Sequence, residues 1–439
     1  MPADLKLPRV RRGNLRPTLQ TLAASDTGRA AGLAAAVITV NVVALVFTVA
    51  FARILGASGY GSLAALISAF IILMVPGSAL QIAAAREVSH AVAVGDPAAG
   101  NGVRRWLRQL LIVTAGVAVV AIPCRSILGA IIHVDELWAA AAVPFTAMLW
   151  MIVSVERGAL QGFQRYKLIG LSMVGEAGSR LTLGLLLYAS GLGVTGAFLG
   201  SAASLVVVGS ALSVPLRARL PPPSAGEGRR LRDLLAGSRV PVLGLTLLFA
   251  LQEVHVIVVK HEVSGDDAGS YAVAAVAAKA IIWVAVGLGM YLLPETARRA
   301  KTGIDPRPIL IRTLGLIAAC AVPMVLIYTA AAKPLLGTVF GDDLTRASAA
   351  LPWLSLAMTL LACVYLSVQY LLALGRAKFI WVLGVAVVVE VLLLASIGAH
   401  LTSIAVALFG IQAVNASAML TLALRRAPQA EHPGEYLTI

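Results

Sequence analysis

The sequence predicts an all-α polytopic membrane protein of about twelve transmembrane helices in two six-helix lobes. Composition, the spacing of apolar windows and a one-sided distribution of basic residues carry this expectation. Hydrophobic residues make up 59% and charged residues 13% of the 439 positions, with a mean hydropathy of +0.89. Soluble domains run at roughly 45–50% apolar and about 25% charged. No water-soluble fold hides that much apolar surface.

A helix needs ~20 mostly apolar residues to cross a hydrocarbon core of ~30 Å. Windows of that kind lie near 30–53, 60–83, 107–123, 138–156, 168–190 and 194–216, and again near 240–260, 268–293, 312–332, 348–372, 379–398 and 402–424. The first follows a basic tail with Lys6, Arg9, Arg11, Arg12, Arg16 and Arg29. Its apolar run exceeds the about 7–15 residues of a signal-peptide core, so it is expected to stay as the first span.

With these windows, 28 of the 35 basic residues fall on one side and five on the other: Arg53, Arg125, Lys260, Lys333 and Arg346. Arg180 and Lys279 fall inside spans. Basic residues concentrate on the cytoplasmic side, so the split predicts an even number of spans and two cytoplasmic termini in a cell inner or plasma membrane. It also accounts for the formal net charge of +14 without nucleic acid, because the basic residues sit between apolar runs with no interleaved aromatic platform.

An offset of 208 positions pairs features of the two halves: Gly61-Ser62 with Gly269-Ser270, Ala64 with Ala272, Glu87 with Glu295, Gly95 with Gly303, Arg104 with Arg312, Pro144 with Pro352 and Gln161 with Gln369. A common register over this distance marks a repeat. Six spans per half give the repeats one topology, as in two-lobed transporters. The expected organisation is a tail (1–29), an N-lobe (30–216), a cytoplasmic linker (217–239) containing Pro221-Pro222-Pro223, a C-lobe (240–424) and a C-terminal tail (425–439). Gly193, Gly196 and Gly200 read as close helix packing, since no Lys-Ser/Thr follows them as in a phosphate loop. Cys124, Cys320 and Cys363 have no metal or disulfide spacing, and neither a metal nor a bound cofactor is expected.

The run from Phe51 to Gly61 (Phe-Ala-Arg-Ile-Leu-Gly-Ala-Ser-Gly-Tyr-Gly), Ala84-Ala85-Arg86-Glu87, Gln161-Gly162-Phe163-Gln164-Arg165, and the stretch from Ala268-Gly269-Ser270-Tyr271-Ala272 through Lys279 to Leu293-Pro294 resemble the polysaccharide-transporter (Wzx-type flippase) branch of the multidrug/oligosaccharidyl-lipid/polysaccharide (MOP) exporter superfamily. The resemblance implies a MATE-like fold, two lobes around a central cavity with alternating access. It also implies an acidic residue near the middle of the seventh span, where this chain has Gln252-Glu253-Val254-His255. His255 stands where an Asp is more usual, with Glu253 beside it.

A charge at the bilayer centre costs roughly 2.5–3.5 kcal/mol on insertion scales, so midspan ionisable residues face a bundle interior or a wet cavity. Glu176, Arg180, Glu253, Lys279 and Glu390 are such residues. Glu176 and Arg180 have the i, i+4 spacing of a helix pair. Glu253 and Lys279 lie at depths that differ by only ~6 Å, within reach of each other if their spans are neighbours. Two readings stand for that pair: a satisfied interhelical ion pair, or a cationic anchor for a ligand phosphate with Glu253 holding Lys279 until substrate competes. Arg180, Arg53 at the outer end of span one, and Asn41 in midspan complete the candidate substrate-binding set. Glu253, Glu176, Glu390 and His255 form the candidate coupling or cavity set, with H+ or Na+ as the coupling ion.

The leading functional expectation is a flippase for a polyprenyl-diphosphate-linked oligosaccharide in cell-surface polysaccharide biosynthesis, with polysaccharide-assembly proteins as partners. The substrate class comes from the resemblance. Alternatives are a MATE-like cation or drug antiporter and a lipid II flippase. A membrane glycosyltransferase or ligase is disfavoured, because the outer connections are only about 4–15 residues long and offer no converging acids and histidines.

Overall fold

The computed structural model describes residues 26–96, 98–220, 230–236 and 239–425. Among the described residues every regular element is helical. The basic residues of the first tail up to Arg16, the proline run of the linker, and the C-terminal tail beyond Arg425 lie outside this set.

The first helix, α1 (Asp26–Val94), is 69 residues long, about 100 Å at ~1.5 Å per residue and over three times a hydrocarbon core. It is broken at Gly56, whose φ of 67° and ψ of −176° suit glycine alone. The two arms are therefore separate crossings. Next, α2 (Ala98–Ala121) and α3 (Arg125–Ile132) are bent by 84° across the segment holding Pro123, which has no N–H to continue the ladder. The third window thus ends in a sharp bend instead of continuing as one straight helix. After α4 (Leu137–Gly162), α5 (Tyr166–Leu187) leads into a π turn, Tyr188–Leu192, and α6 (Gly193–Arg217). Gly191 and Gly193, at φ 92° and 54°, make the reversal between them.

The second half follows the short α7 (Leu231–Ala236) and comprises α8 (Arg239–Glu262), α9 (Gly265–Ala278), α10 (Ala280–Lys301), α11 (Arg307–Phe340), α12 (Leu351–Ala373), α13 (Phe379–Ser396) and α14 (Leu401–Leu424). α9 and α10 make one crossing interrupted at Lys279. α11 extends beyond its sequence window at both ends and is kinked at Ala331. By length and composition nine stretches among the described residues can cross a membrane, or ten with the bent α2–α3 pair. Dividing α1 at Gly56 and the α5–α6 stretch at its glycine turn gives the twelve crossings the sequence predicts.

Helices within a bilayer gain little from apolar burial against each other, so close approach depends on small residues. Gly200 of α6 sits against the backbone of Gly184 in α5, and Gly158 of α4 against the Gln81 carbonyl in α1. Between the two halves, the second arm of α1 packs on α8 and α9. Contact there is backbone to backbone: a Cβ on Gly61 would lie 3.0 Å from the Gly269 nitrogen, and one on Gly269 would fall on the Ala57 carbonyl oxygen.

Candidate functional site

The interruption of the eighth crossing builds the centre of the site. α9 ends at Ala278 and Lys279 takes a turn conformation before α10 begins. Such a break frees backbone acceptors inside the bilayer that need new donors. The Tyr328 hydroxyl of α11 donates to the Ala277 carbonyl at 2.9 Å and supplies one.

Lys279 extends to Glu253 of α8, Nζ to Oε2 at 2.8 Å, with the two side chains 12% and 3% exposed. The Ser68 hydroxyl, on the second arm of α1, donates to the same Oε2 at 2.8 Å, and Gln252 Nε2 donates to Oε1 at 3.1 Å. Glu253 thus joins the halves: its lysine comes from the second and its serine from the first. Because Ser68 and Gln252 also hold the carboxylate, Lys279 can leave without stripping it of every donor, which softens the large cost of an uncompensated buried charge.

His255 points to the other side of α8. Its Nε2 donates to the Gln252 carbonyl at 3.0 Å, so in the neutral ring Nδ1 accepts from the Tyr271 hydroxyl of α9 at 3.1 Å. Glu390 of α13 is fully buried and accepts from Gln412 Nε2 of α14 at 2.9 Å. Asn415 Nδ2 in turn donates to Gln412 Oε1 at 3.3 Å. Glu390 Oε1 and Asn415 Oδ1 are buried acceptors with no donor among the described residues. Glu390 lies within electrostatic reach of Lys279 and of Tyr271.

In the first half the structure corrects the sequence pairing. Glu176 is engaged by Arg157 of α4, not by Arg180: Arg157 Nη2 donates to Glu176 Oε2 at 2.8 Å, and its Nε to Ser172 Oγ at 2.9 Å. The i, i+4 rule compares residues on one helix only, and the neighbouring helix supplies a better-placed cation. Arg180 lies over the Phe47 ring, 5.0 Å from its centroid, with Nε unpartnered. Arg157, which lies just beyond the fourth window and so counts among the loop charges of the basic-residue split, is buried, 3% exposed.

Arg53 is exposed, but its side chain does more than reach the surface. Its Nη2 and Nε donate to the Thr338 and Val339 carbonyls near the end of α11, at 2.6 and 3.1 Å, joining the halves at the end that holds Gly56. His261 Nε2 makes a similar link there, donating to the Ile131 carbonyl at 2.9 Å. Asn41 is half-buried without a hydrogen bond among the described residues.

Sequence reasoning missed Ser68, Tyr328, Gln412, Asn415 and Arg157. Gln412 and Asn415 carried a readable signal, two amide side chains at i, i+3 in the last apolar window. Ser68 carried none, since a lone serine in an apolar run serves equally well by bonding its own helix.

A family model described as polysaccharide biosynthesis protein matches residues 30–300. No curated protein matches the sequence significantly. Among solved structures, a multidrug resistance MATE family transporter of the MOP superfamily in its inward-facing conformation matches with TM-score 0.72 at 14% identity, covering 88% of this chain and 94% of its own. The lipid II flippase MurJ in an inward closed conformation matches with TM-score 0.69 at 11% identity over 89% and 87%. A eukaryotic MATE transporter, AtDTX14, gives 0.58 at 14% over 91% and 96%. At such identities the likeness concerns the fold.

Proposed function

Since this chain belongs to the polysaccharide biosynthesis protein family and has the fold of MOP-superfamily transporters, we propose that it flips a polyprenyl-diphosphate-linked oligosaccharide across the inner membrane by alternating access. The observation that carries this reading is Lys279, a mobile point charge at the break of a membrane helix, held by a carboxylate that keeps two further donors. A diphosphate competes for the lysine; Glu253 is then left on Ser68 and Gln252. Lys279 and Glu253 both belong to the second half, so the Ser68–Glu253 contact between the halves persists when Lys279 leaves; the carboxylate at that contact is then no longer neutralised, and this change of charge links substrate binding to the movement of the lobes.

In this reading both termini and the linker are cytoplasmic, following the 28 basic residues on that side, and the Arg53, His261 and Gly61 contacts seal the outer end. The orphan oxygens of Glu390 and Asn415 form the candidate coupling site: a carboxylate and an amide oxygen are hard acceptors suited to H+ or Na+. Glycan-assembly proteins of the same membrane are the expected partners downstream.

The test is reconstitution of the purified chain in proteoliposomes. Translocation of a polyprenyl-diphosphate oligosaccharide, without uptake of organic cations in exchange for H+ or Na+, supports the flippase. The converse result supports the antiporter, in which Glu176, Glu253 and Glu390 carry the cation.

A further inference from the structure

A groove of about 520 Å³ lies wholly within the first half, between α2, α4 and α6. Arg104 and Arg108 of α2 and Arg217 at the end of α6 stand along it, with Glu156 of α4 among its lining residues. No residue of the second half lines it, so it is separate from the Glu253–Lys279 site. Its walls include Leu111 and Val206, both exposed apolar side chains. In a bundle that crosses a bilayer such a wall meets hydrocarbon. Glu156 is 3% exposed and its Oε2 has no hydrogen-bond partner among the described residues.

We propose that this groove binds one anionic glycerophospholipid, with its phosphate on Arg108 and Arg217 and an acyl chain along Leu111 and Val206. Arg108 and Arg217 against the one carboxyl of Glu156 leave the lining cationic, and guanidinium forks match phosphate oxygens in pairs. Arginines that only reach for interfacial water have no reason to converge from two helices on one apolar recess, whereas basic pockets between membrane helices select acidic head groups. The site rests on the bundle spanning a bilayer and not on what the bundle transports.

Native mass spectrometry of the full-length protein in detergent, offered equal phosphatidylglycerol and phosphatidylcholine, tests it. The wild type is expected to retain phosphatidylglycerol in at least about fivefold excess, and Arg108→Gln with Arg217→Gln to bring the two lipids near parity. Both arginines are exposed, and a single size-exclusion peak checks that the double variant stays folded. Glu156→Gln should keep or raise the preference. Equal retention by the wild type, an unchanged preference in the double variant, displacement by millimolar inorganic phosphate alone, or loss of binding in Glu156→Gln would each overturn the proposal. The last two would mark a free-phosphate site and a cation site respectively.

Discussion

Gly61 and Gly269 occupy equivalent places in the two halves of the chain and meet face to face where those halves touch, with room for a Cβ on neither. The neighbouring contacts are reciprocal: a Cβ on Gly61 would also lie 3.3 Å from the Gly265 carbonyl, and one on Gly269 would strike the carbonyl of Ala57, the equivalent of Gly265. Residue i facing j′ while j faces i′ is the signature of a two-fold contact. Residues that the offset of 208 pairs thus meet in one close, self-complementary contact between the halves.

Gly269→Val is expected to pry this contact open. Overpacking costs ~1–3 kcal/mol, enough to shift a two-state balance by roughly tenfold. In a background with Cys124, Cys320 and Cys363 replaced by Ser, labelling of Ala57→Cys, a buried position, by a membrane-impermeant thiol reagent should rise by that factor. Unchanged labelling would mean that the seal lies elsewhere.

Arg157 should matter to folding far more than Arg180. Removing the cation that pairs with Glu176 leaves a mostly buried carboxylate at a cost of about 3–5 kcal/mol, whereas Arg180 gives up a contact with Phe47 worth about 1–2 kcal/mol. Membrane levels of Arg157→Ala are expected to fall sharply and to recover with Glu176→Gln, while Arg180→Ala stays near wild type. The reverse order would restore the i, i+4 pairing.

Arg53→Ala removes two hydrogen bonds at an exposed position, a loss of about 1 kcal/mol each. Abundance should hardly change, but the end that holds Gly56 should open more readily, read as a several-fold rise in the same Ala57→Cys labelling. A large drop in abundance with no change in labelling would make Arg53 a folding residue.

Hydropathy and basic-residue bias gave the span count because both report bilayer physics directly, the length of a crossing and the cost of moving arginine through it. The Glu253–Lys279 contact was readable from depth alone; the role it serves is not. Partners across helices were legible only where the side chains are charged and long. Ser68 and Tyr328 donate through a single hydroxyl, and their relevance comes from which neighbour the fold places opposite. Arg157 was obscured because a window ending at 156, six residues before the helix ends at Gly162, turns a buried arginine into a loop charge.

Reporter fusions at Ser224 and after Ala427 should be active in the cytoplasm, and a fusion near Asp266 outside it. An external readout at Ser224 would refute the arrangement of two six-helix halves around a cytoplasmic linker.

The central claim is that Lys279 binds the substrate's phosphate and is not merely the partner of Glu253. Lys279→Ala with Glu253→Gln removes both charges together, so no buried carboxylate is left uncompensated and the protein should accumulate. Glycan export by this double variant, measured in a flippase-deficient strain with membrane levels followed by immunoblot, is the most direct measurement. Normal protein with export lost, and partial export by Lys279→Arg where the positive charge survives, is the predicted result. Full export by the double variant would contradict it.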